Sequence, residues 1–131
     1  MMVKVEGLDH VAIAVADVEK SAQWYVDVLG FERQHPGMWG GTPVFVGNDH
    51  ASVALFPKQA EQHGRGTVRH FAFRTSGDEF EAAQRELRER RIDFDFEDHE
   101  ITHSIYFHDP DGHKIEVTTY DVVRPPARSS S

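Results

Sequence analysis

Between residues 8 and 15, LDHVAIAV, apolar and small or polar positions alternate with a period of two: Val11, Ile13 and Val15 fall on one side, and His10, Ala12 and Ala14 on the other. Residues 68 to 75, VRHFAFRT, repeat the pattern, with Phe71 and Phe73 opposed to His70, Ala72 and Arg74, so that His10 and His70 align. Each segment is expected to form a half-buried strand.

After each strand the apolar period lengthens to that of a helix. DVEKSAQWYVDVLG offers Asp17 as a cap, a stripe of Ala22, Trp24, Tyr25, Val28 and Leu29, and Gly30 as a stop. SGDEFEAAQRELRERR offers Ser76 with Glu79 as a capping box and a stripe through Phe80, Ala83 and Leu87. Three short strand-like segments then follow each helix: FERQH, PVFVG and ASVALF in the first half, DFDFED, SIYFHD and HKIEVTTY in the second. NDHASVAL corresponds to DGHKIEV, Val53 and Leu55 answering Ile115 and Val117.

Both halves therefore read βαβββ, an internal duplication in an α+β chain. The expected organisation is a single domain over 1–125, with module 1 at about 5–57, a polar linker at 58–66, module 2 at about 67–120 and a loose tail at 126–131. Val11, Ile13, Val53, Leu55, Phe71, Phe73, Ile115 and Val117 are expected to form the core under the two helices.

Composition narrows the function classes. The 131 residues are 39% apolar and 27% charged, as in ordinary globular domains. A net charge of −8 argues against nucleic acid or an anionic membrane as the main partner. The absence of cysteine excludes disulfides, thiolate metal sites and a cysteine nucleophile. No apolar run reaches the roughly 20 residues of a membrane span and no signal-peptide pattern opens the chain, so the cytoplasm is the expected compartment.

The strand faces turned away from the core carry the candidate chemistry. His10, Ala12, Ala14, Ser52, Ala54, His70, Ala72, Glu116 and Thr118 are small or polar, as befits a cavity lining. His10 and His70 occupy equivalent places, while Glu116 is matched in the first half by Ala54. Related by a pseudo-two-fold axis, two imidazoles and one carboxylate would converge with open positions left over. That donor set suits Fe(II) or Mn(II), with Zn(II) or Ni(II) also tolerated.

These segments, LDHVAIAVADVEKSAQWYVDVLGF and DPDGHKIEVTTY, resemble the vicinal oxygen chelate superfamily, which includes glyoxalase I, bleomycin-resistance proteins, fosfomycin-resistance enzymes and extradiol dioxygenases. The resemblance implies that the two modules pair into a curved, cup-like mixed sheet around a metal cavity, with His10, His70 and Glu116 as ligands. Ala54 stands where glyoxalase I members carry a fourth ligand. The second half is similar to the extradiol signature through His99, Ile105, Tyr106, Asp109, Pro110, Gly112 and Glu116. Those members have a further acid-base histidine corresponding to residues 54–57, where this chain has none, so the resemblance assigns proton transfer to His99 or His103, with Tyr106 as a donor. The implied activity is dioxygenase-like, on a small chelating substrate such as a catechol. The alternatives are a lyase, isomerase or thiol transferase of the glyoxalase or fosfomycin-resistance kind, and a drug-sequestering binding protein. A homodimer is expected from the superfamily and from exposed sheet edges.

Overall fold

The computed structural model describes Lys4 and residues 8–58 and 70–122. The linker beyond Lys58 and the carboxyl-terminal tail lie outside the described residues. Two compact units result: one contains the first βαβββ module together with Asp109–Asp111, the other the second module.

In the first unit β1 (Val11–Val15), α1 (Val18–Leu29), β2 (Glu32–Gln34), β3 (Val44–Gly47) and β4 (Ser52–Pro57) follow in order, with a short 3₁₀ turn at Met38–Gly41 between β2 and β3. The sheet order is β1-β4-β3-β2. β1 runs parallel to β4, with Val11 opposite Val53 and Ala12 opposite Ala54, and the remaining pairs are antiparallel. In the second unit β5 (Phe71–Arg74), α2 (Gly77–Glu89), β6 (Asp95–Asp98), β7 (His103–His108) and β8 (Lys114–Thr119) build the same arrangement, ordered β5-β8-β7-β6. Phe71 lies opposite Ile115 and Ala72 opposite Glu116 in the parallel pair. The α+β class and the βαβββ duplication are therefore present down to strand register. Ala54 and Glu116 are structural equivalents.

The helix ends follow their local chemistry. Asp17 accepts the Lys20 amide at 3.1 Å to open α1, and Gly30 closes it in the left-handed region at φ 66°. Ser76 accepts the Glu79 amide at 3.2 Å to open α2, and Asp121 accepts the Gly77 amide at 2.9 Å beside it. Among the described residues no helix is long and apolar enough to cross a membrane.

The core differs from the sequence expectation in one respect. Val53, Leu55, Ile115 and Val117 are buried, but Val11, Ile13, Phe71 and Phe73 are only half-buried. The cause is topological: β4 and β8 are inner strands, whereas β1 and β5 are the outermost strands of their sheets. Burial is completed by the helices through Ala22, Tyr25, Phe80 and Leu87, and by Ile105 and Phe107 of β7.

The Asp-Pro-Asp-Gly turn has a structural duty that the sequence did not disclose. The Asp111 amide donates to Oδ1 of Asp109 at 2.9 Å, and Gly112 takes φ 86°, which only glycine adopts freely. Oδ2 of Asp109 accepts the buried Tyr25 hydroxyl at 2.8 Å. Asp111 accepts the Ala16 amide at 2.8 Å and the Ser21 hydroxyl at 3.2 Å. The turn thus clasps α1 and the end of β1. Ser21 is buried because it serves this clasp.

Candidate functional site

Strand parity in the second unit puts Glu116 and Tyr106 opposite one another on the face turned away from α2, with Ala72 on the other side of Glu116. Nε2 of His70, immediately before β5, lies 2.9 Å from Oε1 of Glu116. The other carboxylate oxygen accepts the Ser104 hydroxyl at 2.7 Å, and Ser104 also contacts Thr118 Oγ1 at 3.0 Å. Glu116 is therefore held at both oxygens. Its side chain is 13% exposed, while that of His70 is 36% exposed.

The Tyr106 ring lies edge-on to His70, with centroids 5.7 Å apart. Its hydroxyl is 3.0 Å from Nε2 of His99, which also lies 3.2 Å from Oε2 of Glu97. Desolvation, followed by the nearby charges of Glu116 and Glu97, pushes the Tyr106 phenol above its usual range, so it remains a protonated donor. Lys114 Nζ sits 4.7 Å from the centroid of the same ring.

Of the two histidines expected to move protons, His99 is drawn to Tyr106 and His103 is not. His103 has the parity of Ile105 and Phe107 and therefore lies on the α2 face. There its Nε2 is 3.5 Å from Oδ1 of Asp98, and its ring packs edge-on against Phe96 with centroids 5.1 Å apart.

In the first unit the Nδ1 atom of His10 is 2.7 Å from Oδ2 of Asp9. With the proton on Nδ1, this bond leaves Nε2 as the lone-pair nitrogen of the imidazole, the tautomer of a metal-ligating histidine. Phe45 packs edge-on against the His10 ring, with centroids 5.2 Å apart. Among the described residues no group of three or more His, Cys, Asp or Glu side chains is arranged to hold a metal ion. The close pair of expected ligands is His70 and Glu116.

The sequence reading did not identify Asp9, Ser104 or Phe45 as participants. The signal for Ser104 was available, because it shares its strand face with Tyr106. The signal for Phe45 lay in the repeat: Phe45 faces Ala54 as Tyr106 faces Glu116.

The chain is similar to known proteins over most of its length. It is 27% identical over 118 residues to the glutathione transferase FosA of Serratia marcescens, covering 86% of this chain and 79% of that protein. It is 30% identical over 123 residues to the metallothiol transferase FosB of Lysinibacillus sphaericus, covering 88% and 83%. Among solved structures, the oxidase ChaP-H2 superposes with a TM-score of 0.69 at 25% identity, covering 93% of this chain and 96% of that one. The duplicated βαβββ units agree with the match of residues 7–117 to the Glyoxalase/Bleomycin resistance protein/Dioxygenase superfamily model, and the chain belongs to that superfamily.

Proposed function

We propose that this protein is a metal-dependent enzyme in which His10, His70 and Glu116 hold one divalent cation and a small substrate binds it through adjacent oxygens. The observation that carries this reading is the His70–Glu116 pair at 2.9 Å, with Ser104 fixing the second carboxylate oxygen and Tyr106 and His99 beside it. His10 joins as the repeat-equivalent of His70, its Nδ1 engaged by Asp9. Two imidazole nitrogens and a carboxylate oxygen fit Mn(II) or Fe(II), and Zn(II) or Ni(II) share the preference for nitrogen and oxygen donors. When bound, such a cation polarises a substrate oxygen and stabilises charge developing on it.

The favoured reaction class is addition or group transfer without redox change, with a thiol as the nucleophile. Its support is the similarity to FosA and FosB, whose names specify glutathione or metallothiol transfer. The residues of the chain have defined parts in that chemistry. Ser104 holds the Glu116 carboxylate in place. As the thiol sulfur bonds to the substrate and its own proton leaves to solvent, the Tyr106 hydroxyl donates its proton to the substrate oxygen. His99 Nε2, 3.0 Å from that hydroxyl, supplies the proton that restores the phenol. His103, on the opposite face, takes no part.

A dioxygenase-like reaction is the second reading. It is supported by the Tyr106–His99 pair, which matches the extradiol-type signature, and by the likeness to the oxidase ChaP-H2. The two readings separate in one assay series. Tag-free protein loaded with Mn(II) or Fe(II) is offered electrophilic phosphonates or epoxides with glutathione, and separately catechols in an oxygen electrode. Metal-dependent loss of thiol supports transfer, oxygen uptake supports the second reading, and a chain that retains no cation removes both. A homodimer in the cytoplasm belongs to the same proposal and predicts a particle of twice 14.9 kDa in light scattering.

A further inference from the structure

The two units set a ring against each histidine, and the rings differ in chemistry. Tyr106 has polar company in His99, Glu116 and Ser104. Phe45, its equivalent, instead has Trp39 at 5.4 Å and His35 at 5.7 Å between centroids, and His35 and Trp39 lie 5.7 Å apart. Together with His10 at 5.2 Å these rings make a continuous aromatic wall. The wall is open to solvent: Trp39 is 56% exposed and its neighbour Met38 is 52% exposed.

Core packing does not account for so exposed an indole. The segment that carries it is also strained, since His35 at φ 50° and Trp39 at φ 54° are non-glycine residues in the left-handed region. Such conformations cost free energy and concentrate at ligand clamps. Phe45 and Trp39 bear no ionisable group, which favours an uncharged ring against them, and the tilted and edge-on rings suit a planar ring that packs edge-to-face or offset. Its continuity with His10 locates that ring next to the candidate cation.

We propose that Phe45, Trp39 and His35 form a binding wall for an uncharged aromatic group on the chelating substrate. The inference rests on the metal reading and narrows its substrate class. Two probes that share a chelating head and differ in the attached group test it: benzohydroxamate and acetohydroxamate, titrated calorimetrically into the Mn(II)-loaded chain. Wild type is expected to bind the benzo compound about tenfold more tightly. Trp39→Ala should abolish that preference and leave acetohydroxamate affinity unchanged, whereas Trp39→Phe should keep most of it. Equal binding of both probes by wild type, or an undiminished preference in Trp39→Ala, overturns the wall.

Failure of the metal reading looks different. His10→Ala should weaken both hydroxamates together, and a wild-type chain that holds no cation would bind neither through its chelating head. In that case quenching of Trp39 fluorescence by benzamide, taken as the difference between wild type and Trp39→Phe, decides the wall independently. Trp24, packed against Tyr25 at 5.0 Å within α1, reports in the same spectra that the variants are folded. Absence of a Trp39-specific quench overturns the proposal.

Discussion

His70 Nε2 and Glu116 Oε1 stand 2.9 Å apart, the first just outside β5 and the second in the neighbouring parallel strand β8. The Ser104 hydroxyl, 2.7 Å from the other carboxylate oxygen, keeps Glu116 from turning away from the imidazole. Outer partners of this kind are worth about 10–100-fold in metal affinity. Ser104→Ala should lower Mn(II) affinity by that factor without unfolding the chain, and Ser104→Thr should recover part of it. Calorimetric titration checks this, and unchanged affinity in Ser104→Ala would remove Ser104 from the site.

Removal of a proposed ligand should have a larger consequence. Glu116→Gln keeps the shape but discards the charge, and His70→Ala discards a donor, so each should leave the purified chain with little bound metal. Elemental analysis of tag-free protein, with circular dichroism to establish folding, is the measurement. Retention of a full equivalent of metal by either variant would contradict the ligand assignment.

The buried Tyr25 hydroxyl donates to Asp109 at 2.8 Å, and removing it takes that hydrogen bond from a buried carboxylate. Tyr25→Phe is expected to cost about 1–3 kcal/mol in urea unfolding. Burial first, and then the charge of Asp109, push the Tyr25 phenol far above its ordinary value. The folded chain therefore keeps the proton after the unfolded chain has lost it. Stability should be full below the ordinary tyrosine pKa of about 10 and fall as pH rises beyond it. Tyr25→Phe should flatten that alkaline decline, which unfolding midpoints at several pH values will reveal.

Sheet position should grade the cost of core truncations. Leu55 is completely buried on inner strand β4, and Leu55→Ala is expected to cost about 2–5 kcal/mol. Val11, half-buried on outermost strand β1, should cost roughly 1 kcal/mol as alanine. Comparable losses in denaturant midpoint would mean that β1 is covered as fully as β4.

Gly30 isolates a backbone effect. It sits at φ 66°, and an added Cβ would meet nothing within 4 Å, so Gly30→Ala should cost only the left-handed penalty of about 1–2 kcal/mol. Calorimetric melting of the two proteins measures it.

The positions of the two histidines show where sequence reading succeeds and stops. Alternation within LDHVAIAV and VRHFAFRT was enough to align His10 with His70, and the structure sets each immediately before the first strand of its unit. Parity gives Tyr106 a face in common with Ser104 and His108, and the register of β7 against β8 then sets it opposite Glu116. His99 and His103 were equal candidates in the sequence, and only the extent of β7 gave His103 a parity that sets it apart from Tyr106. His99 was resolved by the chain path between β6 and β7, which returns its ring to Tyr106.

Local chemistry in the sequence thus determined the two βαβββ modules, their caps, and the equivalence of Ala54 with Glu116, because hydrophobic period and capping depend on neighbours a few residues away. Tertiary structure alone decided that Val11, Ile13, Phe71 and Phe73 stay half-buried, that Asp109 and Asp111 clasp α1, and that Phe45 gathers His35 and Trp39 against His10. Those outcomes depend on which strand lies outermost and which loop folds back. Such long-range pairings are selected by the packing of the whole unit, and no short window of sequence contains them.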